Sequence, residues 1–238
     1  MSYDKAGEIF ASMKPTLHKV NVNTYNFLLH LGNIRGKTAL DLACGYGLYT
    51  KKLKEMGASR VIGVDVSTKM ISLAKQKHPD LKFLVHDAIT MPKLGEFDVV
   101  TAVHLLQYAE TKEKLYSMCQ NIANNLKSGG RAVLVNHNPL KPLCKNKKFG
   151  VTLTASEPLQ EGDQVTLSFY NKEERVFSVP IYFWSLETYK EAFKRANLDS
   201  FQWHNTIIPE EAIQTYGEEF WEDYDEASTT IVFTARKL

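Results

Sequence analysis

The sequence lacks paired cysteines and long apolar runs. Cys44, Cys119 and Cys144 are widely spaced and form no C-x-x-C pair, the arrangement that commonly binds a metal or performs redox chemistry. No apolar run reaches membrane-spanning length, and the first residues include acids without the apolar core of a signal peptide. We therefore expect a soluble, cytoplasmic protein with reduced thiols, no membrane partner and no bound metal.

An excess of charge of either sign is also missing. Lys and Arg number 29 against 27 Asp and Glu, which gives a formal net charge of +2 at pH 7. The densest basic stretch, KPLCKNKK at residues 141–148, has the length of a solvated loop. This balance argues against a polyanion or an anionic membrane as the obligatory partner, so we expect a small-molecule ligand and no nucleic acid.

What the sequence does have is a regular alternation of strand-length apolar runs and helix-period segments from residue 38 onward. The strand-like runs are TALDLA, RVIGVDV, KFLVHD, FDVVTAVHLL and RAVLVNH. Such alternation is typical of βαβ units around a parallel sheet. Two further runs near the C-terminus, FQWHNTII and TTIVFTARKL, predict a doubly wound, mostly parallel sheet of seven strands whose last strand is antiparallel.

The pattern changes after Pro139. Short runs with strand composition, FGVTLTA, QVTLSFYN and RVFSVPIYFW, surround an EGD turn and predict an antiparallel β cap inserted at about residues 140–183. Helical spacing returns after Ser185, and residues 1–35 predict helices that lead into the sheet. With no internal repeat or low-complexity linker, we expect one domain over residues 1–238.

Small residues follow the first strand in the segment LDLACGYG. Asp41 ends the apolar run, and Ala43, Gly45 and Gly47 occupy alternate positions before the next helix. A tight turn with little side chain lets a ligand approach the main chain and the helix N-terminus. By itself such a turn does not specify a ligand.

Two acids end the next two apolar strands. Asp65 closes VIGVD and Asp87 closes FLVHD, so both stand at carboxyl ends of strands, where ligands of open α/β sheets bind. A carboxylate at the place of Asp65 accepts hydrogen bonds from both hydroxyls of a ribose. Together with the turn, the two acids predict a nucleoside site.

The identity of the nucleoside follows from two details of the turn. Dinucleotide-binding enzymes place a third small residue where this chain has Thr50, and they put a phosphate at the helix N-terminus. An acid before the turn, such as Asp41, suits a cationic ligand instead. These details favour S-adenosylmethionine, which carries an amino acid and a sulfonium but no phosphate.

The successive segments LDLACGYG, VIGVDVSTKMISLAK, HDAITMP, FDVVTAVHLLQYA and LKSGGRAVLVN resemble, in order, the motifs of class I S-adenosylmethionine-dependent methyltransferases. The resemblance covers residues 36–136, and Ala43 stands where that family usually has its first glycine. It implies a Rossmann-like fold, transfer of a methyl group (EC 2.1.1) and release of S-adenosylhomocysteine. The cofactor contacts it implies are Asp41, Ala43, Cys44, Gly45, Tyr46, Gly47, Asp65, Val66, Met70, Asp87, Ala88, Val103 and His104.

A narrower likeness concerns the acceptor. The segments DLACGYGLYTKKLKEMGASRVIGVDVS, LLQYAET, MCQNIANNLKSGG and VNHNP are together similar to methyltransferases of the toxoflavin-synthase type. Those enzymes methylate ring nitrogens of a small heterocycle. The likeness implies a planar nitrogen heterocycle as the methyl acceptor of this chain.

Candidates for catalysis and acceptor binding lie near the expected reaction centre. His104 and His137, which follow the fourth and fifth strands, are candidate bases, although a histidine at a strand end is as often structural. The candidate acceptor-binding residues are Tyr3, Asn136, His137, Asn138, Tyr182 and Trp184. Aromatic residues are usually core, so a structural role for Tyr182 and Trp184 stays open.

Two other functions remain open on the sequence alone. A protein or RNA methyltransferase would share the cofactor site, but the turn after the fourth strand reads AVHLLQYA and lacks the Asn/Asp-Pro-Pro-aromatic motif of nucleic-acid and glutamine aminomethyltransferases. A protein that binds S-adenosylmethionine without transferring a methyl group would also keep the same acids and glycines.

Overall fold

The computed structural model describes residues 18–171 and 173–238. Within these ranges the chain forms, in order, α1 (His18–Leu31), β1 (Thr38–Leu42), α2 (Leu48–Glu55), β2 (Arg60–Asp65), α3 (Thr68–Lys77), β3 (Lys82–Val85), β4 (Phe97–Val103), a 3₁₀ turn (Leu106–Tyr108), α4 (Lys112–Asn124), β5 (Leu126–His137), β6 (Val151–Thr154), β7 (Gln164–Asn171), β8 (Glu174–Tyr182), α5 (Leu186–Arg195), β9 (Leu198–Asn205), α6 (Glu210–Tyr216), α7 (Glu218–Trp221), α8 (Tyr224–Ala227) and β10 (Thr230–Lys237). The lead-in helices expected before residue 18 lie outside the described residues.

Seven strands form the main sheet in the order β3-β2-β1-β4-β5-β10-β9. The pairs from β3 to β5 are parallel, whereas β10 runs antiparallel to both β5 and β9. The strand order reverses between β1 and β4, and at such a point the flanking loops diverge and leave a crevice at the carboxyl edge. The predicted sheet and its antiparallel last strand are confirmed.

Helices cover both faces of this sheet because its strands are apolar on both sides. Along β1, Ala39 packs in the layer that contains Phe27 of α1, while Leu40 packs in the opposite layer with Ile122 of α4. Successive side chains of a strand point to opposite faces, so one apolar run supplies both layers. No helix among the described residues is long and apolar enough to cross a membrane.

A separate antiparallel sheet, β6-β7-β8, is inserted between β5 and α5. Its apolar side chains share a core with α6, α7 and α8, where Ala212, Trp221 and Tyr224 are buried. The predicted antiparallel insertion is therefore confirmed. The three short helices before β10 were not predicted, although the spacing of Trp221, Tyr224 and Ala227 in an acidic segment is helical.

Candidate functional site

A cavity of about 420 Å³ lies between the carboxyl edge of the main sheet and the inner face of the β6–β8 sheet. On one side it is lined by the turns after β1, β2, β3 and β4, which we call the nucleoside side. On the other side it is lined by apolar residues of β6, β7 and β8, which we call the cap side. The cavity thus joins the two regions in which the sequence placed its candidate residues.

The turn after β1 depends on left-handed backbone at Ala43, Gly45 and Gly47, with φ of 53°, 54° and 88°. A Cβ on Gly47 would lie 2.8 Å from side-chain atoms of His78 and Phe83, whereas a Cβ on Gly45 would meet nothing within 4 Å. Gly47 is therefore required for packing inside the protein, not for ligand approach. A side chain at Gly45 would extend into open space, and the contact of Gly45 with a ligand stays a prediction.

The close contact between α2 and the sheet is made by Thr50, which is larger than the third small residue of dinucleotide-binding enzymes. That contact falls on Gly63 of β2, where a Cβ would lie 2.9 Å from Thr50 Oγ1 and 2.6 Å from Phe83. The glycines that allow close packing here thus lie in two places, Gly47 in the turn after β1 and Gly63 in β2. Sequence spacing within one turn could not reveal this, because Gly63 meets α2 only in the folded sheet.

Asp41 is a structural residue rather than a cavity residue, which corrects the prediction of a cofactor contact. Its side chain is buried, with Oδ2 accepting from Thr50 Oγ1 at 2.7 Å and Oδ1 accepting from Thr101 Oγ1 at 2.9 Å. These bonds join β1 to α2 and β4. Asp41 therefore holds the turn in place from beneath.

Asp65 lines the nucleoside side, and its carboxylate is fixed by the backbone. Oδ2 accepts from Gly45 N–H at 2.8 Å and Oδ1 from Ser67 N–H at 2.9 Å. One carboxylate thus ties the turn after β1 to the turn after β2. A carboxylate oxygen accepts more than one hydrogen bond, so this position retains the chemistry of a ribose acceptor, and the ribose contact remains a prediction.

Asp87 and Ala88 line the cavity in the loop after β3. Asp87 Oδ1 accepts from Ile89 N–H at 2.8 Å, and the Asn121 side chain of α4 donates to the carbonyl oxygens of Ala88 and Ile89, each at 2.9 Å. The loop is therefore held on both sides. The Asn121 contact was missed by sequence reasoning, because a lone Asn in an amphipathic helix gives no signal of what it reaches.

Apolar residues suited to a flat ring flank these acids. Val66 lines the cavity with 58% of its surface exposed, and Met70 of α3 lines it from a buried position. Tyr46 stands at the same wall, where burial raises its pKa to about 12. Cys44 also lines the cavity, but burial and the nearby acids raise the pKa of its thiol, so it stays neutral.

His104 follows β4 in left-handed backbone, with φ of 62°, beside Val103. Its Nδ1 lies 3.3 Å from Gln107 Oε1, and its Nε2 lies 3.5 Å from Asn23 Nδ2. Gln107 Oε1 also accepts from the backbone N–H of His137 at 3.0 Å, and a backbone N–H can only donate. The shared atom is thus an acceptor, which assigns the proton of neutral His104 to Nδ1 and the lone pair to Nε2.

His137 lines the cavity, but both of its ring nitrogens face carbonyl oxygens. Nδ1 lies 2.7 Å from the oxygen of Thr229 and Nε2 lies 3.0 Å from that of Pro142. Carbonyl oxygens only accept, so neither nitrogen presents a lone pair to the cavity. The prediction that His137 is a base is therefore corrected: it joins the end of β5 to β10 and to the start of the insertion.

Asn136 and Asn138 lie outside the cavity lining, contrary to the prediction of acceptor contacts. Asn136 is buried and donates to Tyr189 Oη at 2.9 Å. Asn138 is buried as well, and its Oδ1 accepts from Leu140 N–H at 3.0 Å to form the turn after β5. Side chains alternate along a strand, which is why Asn136 points away from the site that His137 lines.

Trp184 is likewise a core residue and not part of the cavity lining. Its ring packs with the core beneath α5, and Nε1 donates to the carbonyl oxygen of Ala109 at 2.9 Å. Tyr182 does line the cavity, and its contact with an acceptor stays a prediction. Tyr3 lies outside the described residues.

The aromatic surface of the cap side comes from residues that the sequence did not single out as a pair. Phe169 of β7 and Phe177 of β8 face each other across the strands with ring centroids 4.5 Å apart and an interplanar angle of 15°. Both line the cavity, together with Leu153, Leu167 and Val179. Their register could have been found only from the strand pairing.

The fold of the chain is shared with solved structures of other proteins. Its main sheet has a crevice at the carboxyl edge and one antiparallel strand, β10, between β5 and β9. A solved structure described as an S-adenosylmethionine-dependent methyltransferase from Mesorhizobium loti aligns with a TM-score of 0.68 at 18% identity, covering 91% of this chain and 98% of that one.

Sequence comparison agrees. Residues 39–130 match the model of a family described as a methyltransferase domain. The demethylmenaquinone methyltransferase of Lactococcus lactis is 33% identical over 161 residues, 60% of this chain and 62% of that protein. The ubiquinone biosynthesis O-methyltransferase of Pseudomonas paraeruginosa is 27% identical over 137 residues, 54% and 57% of the two chains. This chain thus spans less than two thirds of the length of these curated relatives.

Proposed function

We propose that this protein transfers the methyl group of S-adenosylmethionine to a ring nitrogen of a small planar molecule bound on the cap side of the cavity. The observation that carries the proposal is the continuity of the cavity: acids and small residues line one side, and stacked aromatic and aliphatic residues line the other. The relatives named for quinone metabolism act on small ring compounds, which supports a planar acceptor here.

The nucleoside side fits the cofactor by the chemistry of its donors and acceptors. The carboxylate of Asp65 suits a ribose diol, exposed Val66 suits the face of an adenine, and Asp87 suits its exocyclic amine. Gly45 leaves room at the turn for the amino-acid portion. When bound there, S-adenosylmethionine supplies an electrophilic methyl group on a sulfonium.

The cap side fits a flat, weakly polar molecule. Phe169 and Phe177 offer a rigid apolar surface, and Tyr182 adds a ring with a polar tip. Positioning such an acceptor in line with the sulfur–carbon bond, and excluding water, is worth about 7–11 kcal/mol of the barrier in favourable cases. The main contribution of the protein to the reaction is therefore to orient the acceptor towards the methyl group.

His104 is proposed as the base for an acceptor nitrogen that carries a proton. As the nitrogen–carbon bond forms, that proton passes to Nε2, and the electron pair of the sulfur–carbon bond stays on sulfur. Gln107 is a positioning residue, because its Oε1 accepts from His104 Nδ1–H and keeps the lone pair on Nε2. A phenolic oxygen would need the same base, so O-methylation, the reaction named for one relative, is the second candidate.

The test is transfer of label from S-adenosylmethionine with an isotopic methyl group to matched sets of nitrogen heterocycles and phenols, and to a metabolite extract. We expect a labelled small product with its methyl group on nitrogen. Asp65→Ala should strongly lower labelling at limiting S-adenosylmethionine, and Arg175→Gln, which replaces an exposed arginine of β8, should leave it unchanged.

Three results would contradict the proposal, each in favour of a named alternative. Label on oxygen favours the O-methyltransferase. Label in protein or RNA favours a macromolecular acceptor. Binding of S-adenosylmethionine with no labelled product in any fraction favours a non-catalytic binding protein.

A further inference from the structure

A second cavity, of about 320 Å³, lies on the α1 side of the main sheet and away from the site described above. We call it the basic pocket, and it is lined by His30, Arg131, Ser200, Gln202, His204, Thr234 and Arg236, with backbone of Ala235. Arg131 pairs with Val99 near the start of β4, whereas the first cavity is lined by Val103 at the end of that strand. The two cavities therefore open at opposite edges of the sheet.

Two arginines stand side by side in the basic pocket. Arg131 of β5 and Arg236 of β10 are direct partners in the antiparallel pairing, an arrangement of like charges that is unfavourable by itself. Within the described residues, neither guanidinium forms an ion pair with a carboxylate. Asp199, the β9 neighbour of Arg236, accepts instead from Ser200 Oγ at 3.4 Å.

The arginines keep hydrogen-bonding capacity in spite of their structural contacts. Arg131 donates through Nη2 to the carbonyl oxygen of Leu31 at the end of α1, and Arg236 donates through Nη1 to that of Gly129 at 3.3 Å. A guanidinium has five N–H groups, so each retains donors for a further acceptor. Forked donors of this kind match the geometry of an oxyanion.

The opposite wall consists of two imidazoles. His30 of α1 and His204 of β9 are stacked with ring centroids 4.1 Å apart, and His204 Nε2 lies 3.0 Å from Thr234 Oγ1. Burial, together with His204 and Arg131, lowers the pKa of His30, and burial lowers that of His204. The charged and titratable groups that line the pocket from α1, β5, β9 and β10 are thus basic, and the acid beside them is Asp199, the β9 partner of Arg236.

We propose that the basic pocket binds the phosphate group of a small anionic ligand. A dianion bound between Arg131 and Arg236 would offset the repulsion between the two guanidinium groups, and the hydroxyl of Thr234 and the amide of Gln202 supply neutral donors around it. The volume exceeds that of a phosphate alone, so the pocket has room for the group that carries it. This site is independent of the methyl-transfer site and does not rest on the proposed function.

The test is titration of the full chain with inorganic phosphate, pyrophosphate and glycerol phosphate at constant ionic strength, followed by NMR of the His30 and His204 imidazoles. We expect saturable shifts of both signals and a higher pKa for both rings in the bound state. Tighter binding of glycerol phosphate than of inorganic phosphate would identify a phosphate ester as the ligand class, and the reverse would identify the free ion; either supports the site.

Arg236→Gln should weaken this binding at least tenfold, because the exposed Arg236 is removed without disturbing the contact of Arg131 with α1. Arg175→Gln, an exposed arginine on the separate sheet, is the matched control and should leave binding unchanged. Absence of saturable imidazole shifts with all three probes would overturn the proposal. Equal weakening by both substitutions would overturn it too, because it would indicate a general effect of net charge.

Discussion

The two sides of the main cavity are built by different kinds of contact. On the nucleoside side, carboxylates of Asp65 and Asp87 bind backbone N–H groups of the turns that they themselves belong to or adjoin. On the cap side, Phe169 and Phe177 meet across two strands of a separate sheet, and that sheet reaches the first one through packing. Hydrogen bonds between residues close in sequence hold the nucleoside side, whereas packing between apolar residues that are further apart in sequence forms the cap side.

This difference explains why more of the candidate residues of the nucleoside side than of the cap side line the cavity. A strand-end acid next to a glycine turn creates its site within a few residues of sequence, so the pattern and the geometry coincide. An aromatic residue gives no such indication, because Trp184 and Phe177 look alike in sequence and only one of them lines the cavity. Four substitutions test the comparison, from the largest expected effect to the smallest.

Trp184→Ala should lower the free energy of unfolding by about 3–5 kcal/mol, because it empties a core position and leaves the Ala109 carbonyl without its donor. Urea unfolding measures this effect. Trp203→Ala, at a ring that is 41% exposed, is the control and should cost much less. A small loss of stability together with a raised KM for the acceptor would indicate that Trp184 contacts the acceptor on the cap side, which would contradict its assignment to the core.

Asp65→Ala should weaken S-adenosylmethionine binding by at least about 30-fold, because charged hydrogen bonds are worth about 1.5–3 kcal/mol each and the tie between two turns is also lost. Calorimetric titration measures it. Asp80→Ala, at an exposed acid after α3, provides the control. If Asp65→Ala binds S-adenosylmethionine as tightly as the parent chain, the hydrogen bonds of Asp65 are not needed for cofactor binding on the nucleoside side.

Gln107→Leu should lower kcat roughly 10- to 100-fold, because His104 then loses the acceptor that keeps its proton on Nδ1. Cofactor affinity should stay the same. Imidazole nitrogen NMR should show the Nδ1–H tautomer of His104 in the parent chain and its loss in the variant. Gln107→Glu, which keeps an acceptor, should restore the tautomer and most of the activity.

The combination of Gln107→Leu with His104→Ala sharpens this test. If Gln107 acts through His104, the double variant should be no slower than His104→Ala alone. An unchanged tautomer, or additive losses of kcat, would assign Gln107 a purely structural role.

Asp98→Asn should cost about 1 kcal/mol of stability at neutral pH, after allowance for the partly exposed Lys127. Hydrogen bonds from Lys127 and from the Thr38 backbone lower the Asp98 pKa to about 2 in the folded chain. The carboxylate therefore stabilises the fold above its unfolded pKa of 3.8, and this contribution is lost as the pH falls from 3.8 towards 2.

Urea unfolding at neutral pH and near pH 2 measures the difference, most of which should be lost at the lower pH. Asp80→Asn is the control and should show little difference at either pH. If Asp98→Asn is still less stable than the parent chain at low pH, the contribution of Asp98 to the stability of the main sheet does not depend on its charge.

The sequence by itself determined the succession of strands and helices from β1 to β5, the antiparallel last strand, the inserted sheet, the acid that ends β2 and the acid that follows β3. These features depend on hydrophobic period, on turns and on neighbours along the chain, all of which are local. The tertiary structure alone decided that Asp41 lies beneath the turn, that Gly47 is required by Phe83, and that His137 faces two carbonyl oxygens while His104 keeps a lone pair. Those outcomes depend on which atoms meet across strands and helices that are distant in sequence. The local sequence around a residue does not specify these partners.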